Sequence, residues 1–185
     1  MLAASRVRTA MWIAVLPAIL LAGISVLAPL QQHRLGAGAG EIALTFGLAA
    51  LVGILVRPAF GRWSDRHGPL RPIRLGLLSS APVVFAVPWL QSRFAAALLV
   101  VLALVLTGVL WAPLMLMLSD ACTAAGVGQI MAVVIMDLTW PPGNAVGAAG
   151  GAAIAQAAGQ RWAYATMAAA LLGGYLALSR YARLL

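Results

Sequence analysis

Charge is what this sequence has least of. Only 9% of its 185 residues are charged, against roughly 25% in soluble domains. Lysine is absent, and the acids number four: Glu41, Asp65, Asp120 and Asp137. So little charge cannot cover a water-exposed surface, which excludes a soluble globular domain. The single cysteine, Cys122, excludes an intramolecular disulfide and leaves the redox compartment open. Period-two alternation of apolar and polar residues is missing too, which excludes a membrane β-barrel. The Gly-x-Ser-x-Gly, His-Glu-x-x-His and Walker patterns are absent. Intramembrane proteolysis would need Ser–His or paired aspartates inside the apolar runs, and neither occurs. We therefore expect no enzymatic activity, no cofactor and no metal.

What is present is apolar length. The chain is 63% hydrophobic, with a mean hydropathy of +1.00. A spanning helix needs ~20 apolar residues. Six such runs can be drawn, at roughly 9–30, 41–60, 73–90, 94–118, 128–157 and 162–178. The fold class expected is all-α, a polytopic membrane protein with six transmembrane helices in a single domain, 1–185. The basic start, Met1 to Ala10, precedes an uncleaved first helix. Pro17, Pro29, Pro82 and Pro88 fall inside predicted spans, where proline often marks a bend beside a cavity. Glu41 suits the N-terminus of the second span. The fourth run reads as almost unbroken, with a loop after it at 119–126. No soluble domain or linker is apparent.

The net charge is +8, all from arginine. The arginines sit at the ends of apolar runs rather than along a polar face, so membrane headgroups explain them better than nucleic acid does. With six spans, one side collects Arg6, Arg8, Arg57, Arg62, Arg66, Arg71, Arg74, Arg180 and Arg183. The other collects Arg34, Arg93 and Arg161. The positive-inside rule then places both termini in the cytoplasm of a cell-membrane protein. His33 and His67 lie in predicted loops on opposite sides and cannot share a metal.

The densest charge is Gly61-Arg62-Trp63-Ser64-Asp65-Arg66-His67-Gly68, read as a loop between the second and third spans. Its pattern, with Gly61, Asp65, Arg66 and Gly68 in register, resembles the signature loop of the major facilitator superfamily. That loop joins the second and third helices of each six-helix half. The departure is Pro69-Leu70 where the family usually has two basic residues; Arg71 and Arg74 follow slightly later. The resemblance covers the whole chain. It implies secondary active transport of a small solute by alternating access, with Asp65 pairing with arginine and a helix N-terminus across the junction of two halves.

The chain resembles one half, and more closely the carboxy-terminal one. Amino-terminal halves often carry an arginine in the fourth helix about four residues before a glycine; here Leu104 precedes Gly108. Trp140-Pro141-Pro142-Gly143 and the small residues after it look like an eleventh helix. The resemblance therefore implies a second six-helix half as partner, from another copy or a separate chain. A different reading is a truncated or accessory membrane protein without transport activity of its own.

Three further groups stand out inside the spans. Gly143, Gly147 and Gly151 repeat every four residues, a close-packing seam. It serves either packing within the bundle or the junction between halves that the resemblance implies. Asp137 is an acid well inside the fifth run, costly in a bilayer. Arg57 is its most plausible partner, in a pair that is structural, part of a gate, or a proton site. Pro141 and Pro142 are expected to unwind the helix nearby. Trp111, Pro113 and Met115 either line a pocket for an apolar ligand or simply pack.

Overall fold

The computed structural model describes residues 2–181, with side chains from 10 to 180. Arg183 lies outside the described residues, as do the side chains of Arg6 and Arg8. Helices make up nearly everything described: α1 (Leu2–Arg34), α2 (Ala39–His67), α3 (Leu70–Ala86), α4 (Arg93–Gly108), α5 (Trp111–Ala124), α6 (Gln129–Ala157) and α7 (Gln160–Tyr181). A single 3₁₀ turn, Val87–Trp89, ends the third span at Pro88. Five stretches are long and apolar enough to cross a membrane: Ala10–Arg34, Ala39–His67, Leu70–Trp89, Arg93–Ala124 and Gln160–Arg180. The 29-residue α6 has the length, but Asp137, Asn144 and two prolines dilute its apolar content.

Local chemistry explains the helix starts. Glu41 is the third residue of α2, and its carboxylate accepts from the Gly38 N–H at 3.1 Å, satisfying one of the orphan donors of the first turn. The same carboxylate reaches Arg93 at the start of α4, 3.4 Å away, so one acid ties together the ends of two spans. Ser92 caps α4 by accepting from the Ala95 N–H.

The fourth run is not continuous. It breaks into α4 and α5 at Val109 and Leu110. Pro113 has no N–H to offer the Val109 carbonyl, and its ring crowds that carbonyl, a combination costing ~3 kcal/mol inside a regular helix. A break at Val109 relieves both. The converse holds in α6, where Pro141 and Pro142 were expected to unwind the chain: the helix runs through them unbroken. The two prolines still deprive the Asp137 and Leu138 carbonyls of their helical donors. Close packing of the next turns on α1 holds the axis on course.

The predicted loop at 61–68 is also corrected. Residues Gly61 to His67 are the last turns of α2, and the chain reverses only at Gly68, with φ of +78°, and Pro69. Polar side chains extend the helix because they bond back to it: Arg62 Nε donates to the Pro58 carbonyl at 3.3 Å, and His67 Nδ1 lies 3.3 Å from the Trp63 carbonyl. The predicted loops around His33 and at 119–124 are likewise helical, as the ends of α1 and α5.

The bundle is organised around α1. Ile13, Leu20, Ile24 and Leu27 on it are buried against the core residues Leu114, Met117 and Met136 and, from α7, Tyr164 and Leu171. Its most extensive partner is α6, and α3 packs mainly on α7. By contrast α2 packs mainly on α4, through a small cluster of Ala49, Val101, Val105 and Val109.

Candidate functional site

The four elements α1, α2, α4–α5 and α6 converge on a cavity of about 310 Å³. Its walls are Pro17 and Leu21 of α1, Arg57 of α2, Thr107 and Gly108 at the end of α4, Trp111 at the start of α5, and Trp140 of α6. The break in the fourth span lies on its wall: Gly108 is the last residue of α4, Trp111 the first of α5, and both line the cavity. The Thr107 hydroxyl bonds back to its own helix, donating to the Ala103 carbonyl at 2.7 Å.

The aromatic wall is held in place. Trp111 and Trp140 pack edge to face, with ring centroids 4.5 Å apart and planes at 88°. This is the arrangement favoured by ring quadrupoles. Asn144 orients Trp140. With its amide nitrogen facing α1, it donates to the Ala18 carbonyl at 3.0 Å and accepts from Trp140 Nε1 at 2.9 Å. One carboxamide thereby anchors the indole of α6 to the backbone of α1.

Arg57 brings a charge to this cavity. Its guanidinium lies over two glycines, Gly53 of its own helix and Gly108 of α4. A Cβ placed on Gly53 would sit 3.6 Å from Nε, and one on Gly108 would sit 3.0 Å from Nη2. A Cβ on Gly108 would crowd the guanidinium, whereas one on Gly53 would meet it in ordinary van der Waals contact. Among the described residues the one ion pair is Arg93–Glu41, so the expected Arg57–Asp137 pair is absent. Asp137 is exposed, one helical turn before Trp140, and does not line the cavity.

Of the three residues considered for an apolar pocket, Trp111 lines the cavity. Pro113 is buried inside the bundle, and Met115 packs on the main core. Trp140, Thr107, Pro17 and Leu21 are wall residues that sequence reasoning did not assign. Pro17 carried a signal, since proline inside a span often lies beside a cavity. Trp140 carried none at the level of its neighbours in sequence.

The glycine seam faces inward. Gly143, Gly147 and Gly151 are all buried against α1 of the same chain. A Cβ on Gly147 would overlap the Ile19 carbonyl, and one on Gly143 would come to 2.9 Å from the Ala18 methyl. Of the two roles left open, the seam takes packing within the bundle.

The signature residues lie at the opposite end of α2 from Glu41. Asp65, Arg66 and Arg71 are exposed, and Asp65 has no ion-pair partner among the described residues. Gly61 has open space on its Cα face. Ser64 is buried with its hydroxyl unpartnered.

The family model of the Major Facilitator Superfamily matches residues 10–184, nearly the whole chain. The chain belongs to the major facilitator superfamily. No curated protein and no solved structure matches it. Membership identifies a membrane-embedded protein of transporter type, in agreement with the all-α architecture and the apolar spans.

Proposed function

We propose that this superfamily member is one six-helix half of a secondary transporter.

 The unit moves a small solute by alternating access. The observation that carries this reading is the cavity itself. It lies where α1, α2, α4–α5 and α6 meet, and one wall, α2, is largely uncovered: 17% of its most apolar stretch is buried, against 50% for α1. A second six-helix unit, from whichever chain supplies it, closes the cavity against α2 and completes the path. Both termini and the α2–α3 connection face the cytoplasm of the cell membrane, as the arginine distribution implies.

In this reading Asp65 latches one access state. It stands free at the membrane edge, where an arginine or a helix N-terminus of the second unit can meet it. Asp65→Asn removes the charge and keeps the size. The expected result is a shift between inward- and outward-open forms of about 5- to 150-fold, the usual range for one coupling contact. Single cysteines on either face, in a Cys122→Ser background, measure it by labelling from each side. Labelling that never alternates between sides, in liposomes that take up no solute, supports instead an accessory protein without transport of its own.

A further inference from the structure

The direction in which Arg57 points is informative. Arg62, Arg66 and His67 mark the charged end of α2, so a side chain seeking headgroups from position 57 would extend toward them. The guanidinium lies the other way, over Gly53, one turn deeper, and across to Gly108. It therefore faces the cavity with no carboxylate within 4.0 Å among the described residues. Arg57 is exposed on the cavity's open side, near the end of the span, and has no counter-ion among the described residues; an unpaired charge so placed is a functional candidate. Beside it stand two indoles in a fixed edge-to-face pair, Trp111 and Trp140.

We propose that Arg57 binds the anionic group of the solute, and that the solute is an organic monocarboxylate with an apolar or aromatic body. The proposal rests on the transporter reading and adds the substrate class. The wall that this half contributes carries a single guanidinium, which matches the one charge of a carboxylate more closely than a phosphate monoester at about −1.5 to −2. The planar fork of arginine suits the two oxygens of a carboxylate. The remaining wall is apolar: Pro17 and Leu21 on one side and the tryptophan pair on the other, with the Thr107 hydroxyl already engaged with its own helix. This half's share of the cavity, about 310 Å³, already accommodates a small acid.

The test measures binding and flux separately on the full chain. Benzoate and 4-methylpentanoate are titrated against the purified protein by calorimetry, each beside its neutral amide, with inorganic phosphate as a compact polyanion. Acids should bind at least about tenfold more tightly than their amides, and phosphate weakly. Arg57→Gln should abolish that preference, and Arg57→Lys should restore part of it, with helix content unchanged by circular dichroism. Trp111→Ala should weaken acid and amide alike. Equal binding of acids and amides, or an acid preference that survives Arg57→Gln, overturns the proposal. So does a matching loss of flux in Arg57→Gln and Asp137→Asn with no change in acid preference, because Arg57 then serves Asp137. Flux of neutral solutes that is indifferent to Arg57 overturns the substrate class and leaves transport standing. Acid binding through Arg57 without flux in liposomes leaves the site standing and removes transport.

Discussion

Two helices here carry glycine at helical spacing, and their surroundings are opposite. On α6, Gly143, Gly147 and Gly151 lie against α1, close enough that a Cβ on Gly147 would overlap the Ile19 backbone. On α2, Gly40, Gly47 and Gly61 share a face by their seven- and fourteen-residue spacing, and nothing lies within 4 Å of where their Cβ atoms would be. Leu44, Leu48 and Leu51 flank that face and are exposed. The same residue type therefore builds a closed contact in one helix and an open groove in the other. The closed contact includes α7 as well: the Met167 methyl lies between Gly23 of α1 and Gly151 of α6. Glycine spacing identifies a surface that permits close approach. Only the neighbouring helix shows whether the approach has been made.

The comparison can be broken most forcefully at Gly147. Gly147→Leu drives a side chain into backbone, which cannot move as a side-chain end can. A loss of about 3 kcal/mol or more is expected, at or above the upper range for overpacking. Thermal unfolding in detergent, or loss of the monodisperse peak on size exclusion, measures it. A stable Gly147→Leu protein would mean that α1 and α6 are not in this contact.

A smaller effect is expected at Gly23. Its added methyl mainly meets the flexible end of Met167, which can swing aside, and lies 3.3 Å from the Gly147 carbonyl, a tight but not overlapping contact, while the helix gains up to ~1 kcal/mol from alanine over glycine. Gly23→Ala should therefore cost no more than about 1–2 kcal/mol, and Met167→Ala in the same chain should recover part of it. Non-additivity in this double-mutant cycle is the readout, since residues in contact couple.

The smallest effect on the fold is expected on the open face. Gly47→Ala should leave stability unchanged or raise it by up to ~1 kcal/mol, because nothing is near and alanine favours the helix. Gly47→Leu should be similarly mild for the isolated bundle but weaken its association with a second six-helix unit, read by crosslinking or native mass in detergent. If Gly47→Leu unfolds the bundle as Gly147→Leu does, the contrast between the two faces is lost.

Much of the fold was legible because a bilayer limits the choices: apolar runs of sufficient length must be helices, since their backbone groups have no water to bond. The start of α2 was legible for a similar local reason, Glu41 being suited to a helix N-terminus, whereas the Ser92 cap of α4 emerged only in the structure. The ends were less so. Charge at 61–67 reads as loop because charged residues usually leave the membrane, yet charged side chains can continue a helix beyond it. Proline was ambiguous in the same way. Pro113 coincides with a break and Pro141-Pro142 does not, and the difference lies in what packs against each helix. At the candidate site, Arg57 and Trp111 were picked out separately, one as the plausible partner of Asp137 and the other as a possible lining of an apolar pocket. Their meeting with Trp140 joins positions from three helices, and the expected partner Asp137 projects elsewhere.

By itself, then, the sequence determined that the chain is helical, that it is membrane-embedded, and which superfamily it belongs to. Those properties follow from composition, run length and a local motif, each readable over a few turns. Tertiary structure alone decided that the α6 glycines face α1, that α2 stays open, and that Arg57 shares a cavity with the two tryptophans while Asp137 stays outside it. The physical reason is that helix periodicity sets which residues share a face, while the direction of that face depends on crossing angles and on the break at Val109, which arise only when the helices pack together.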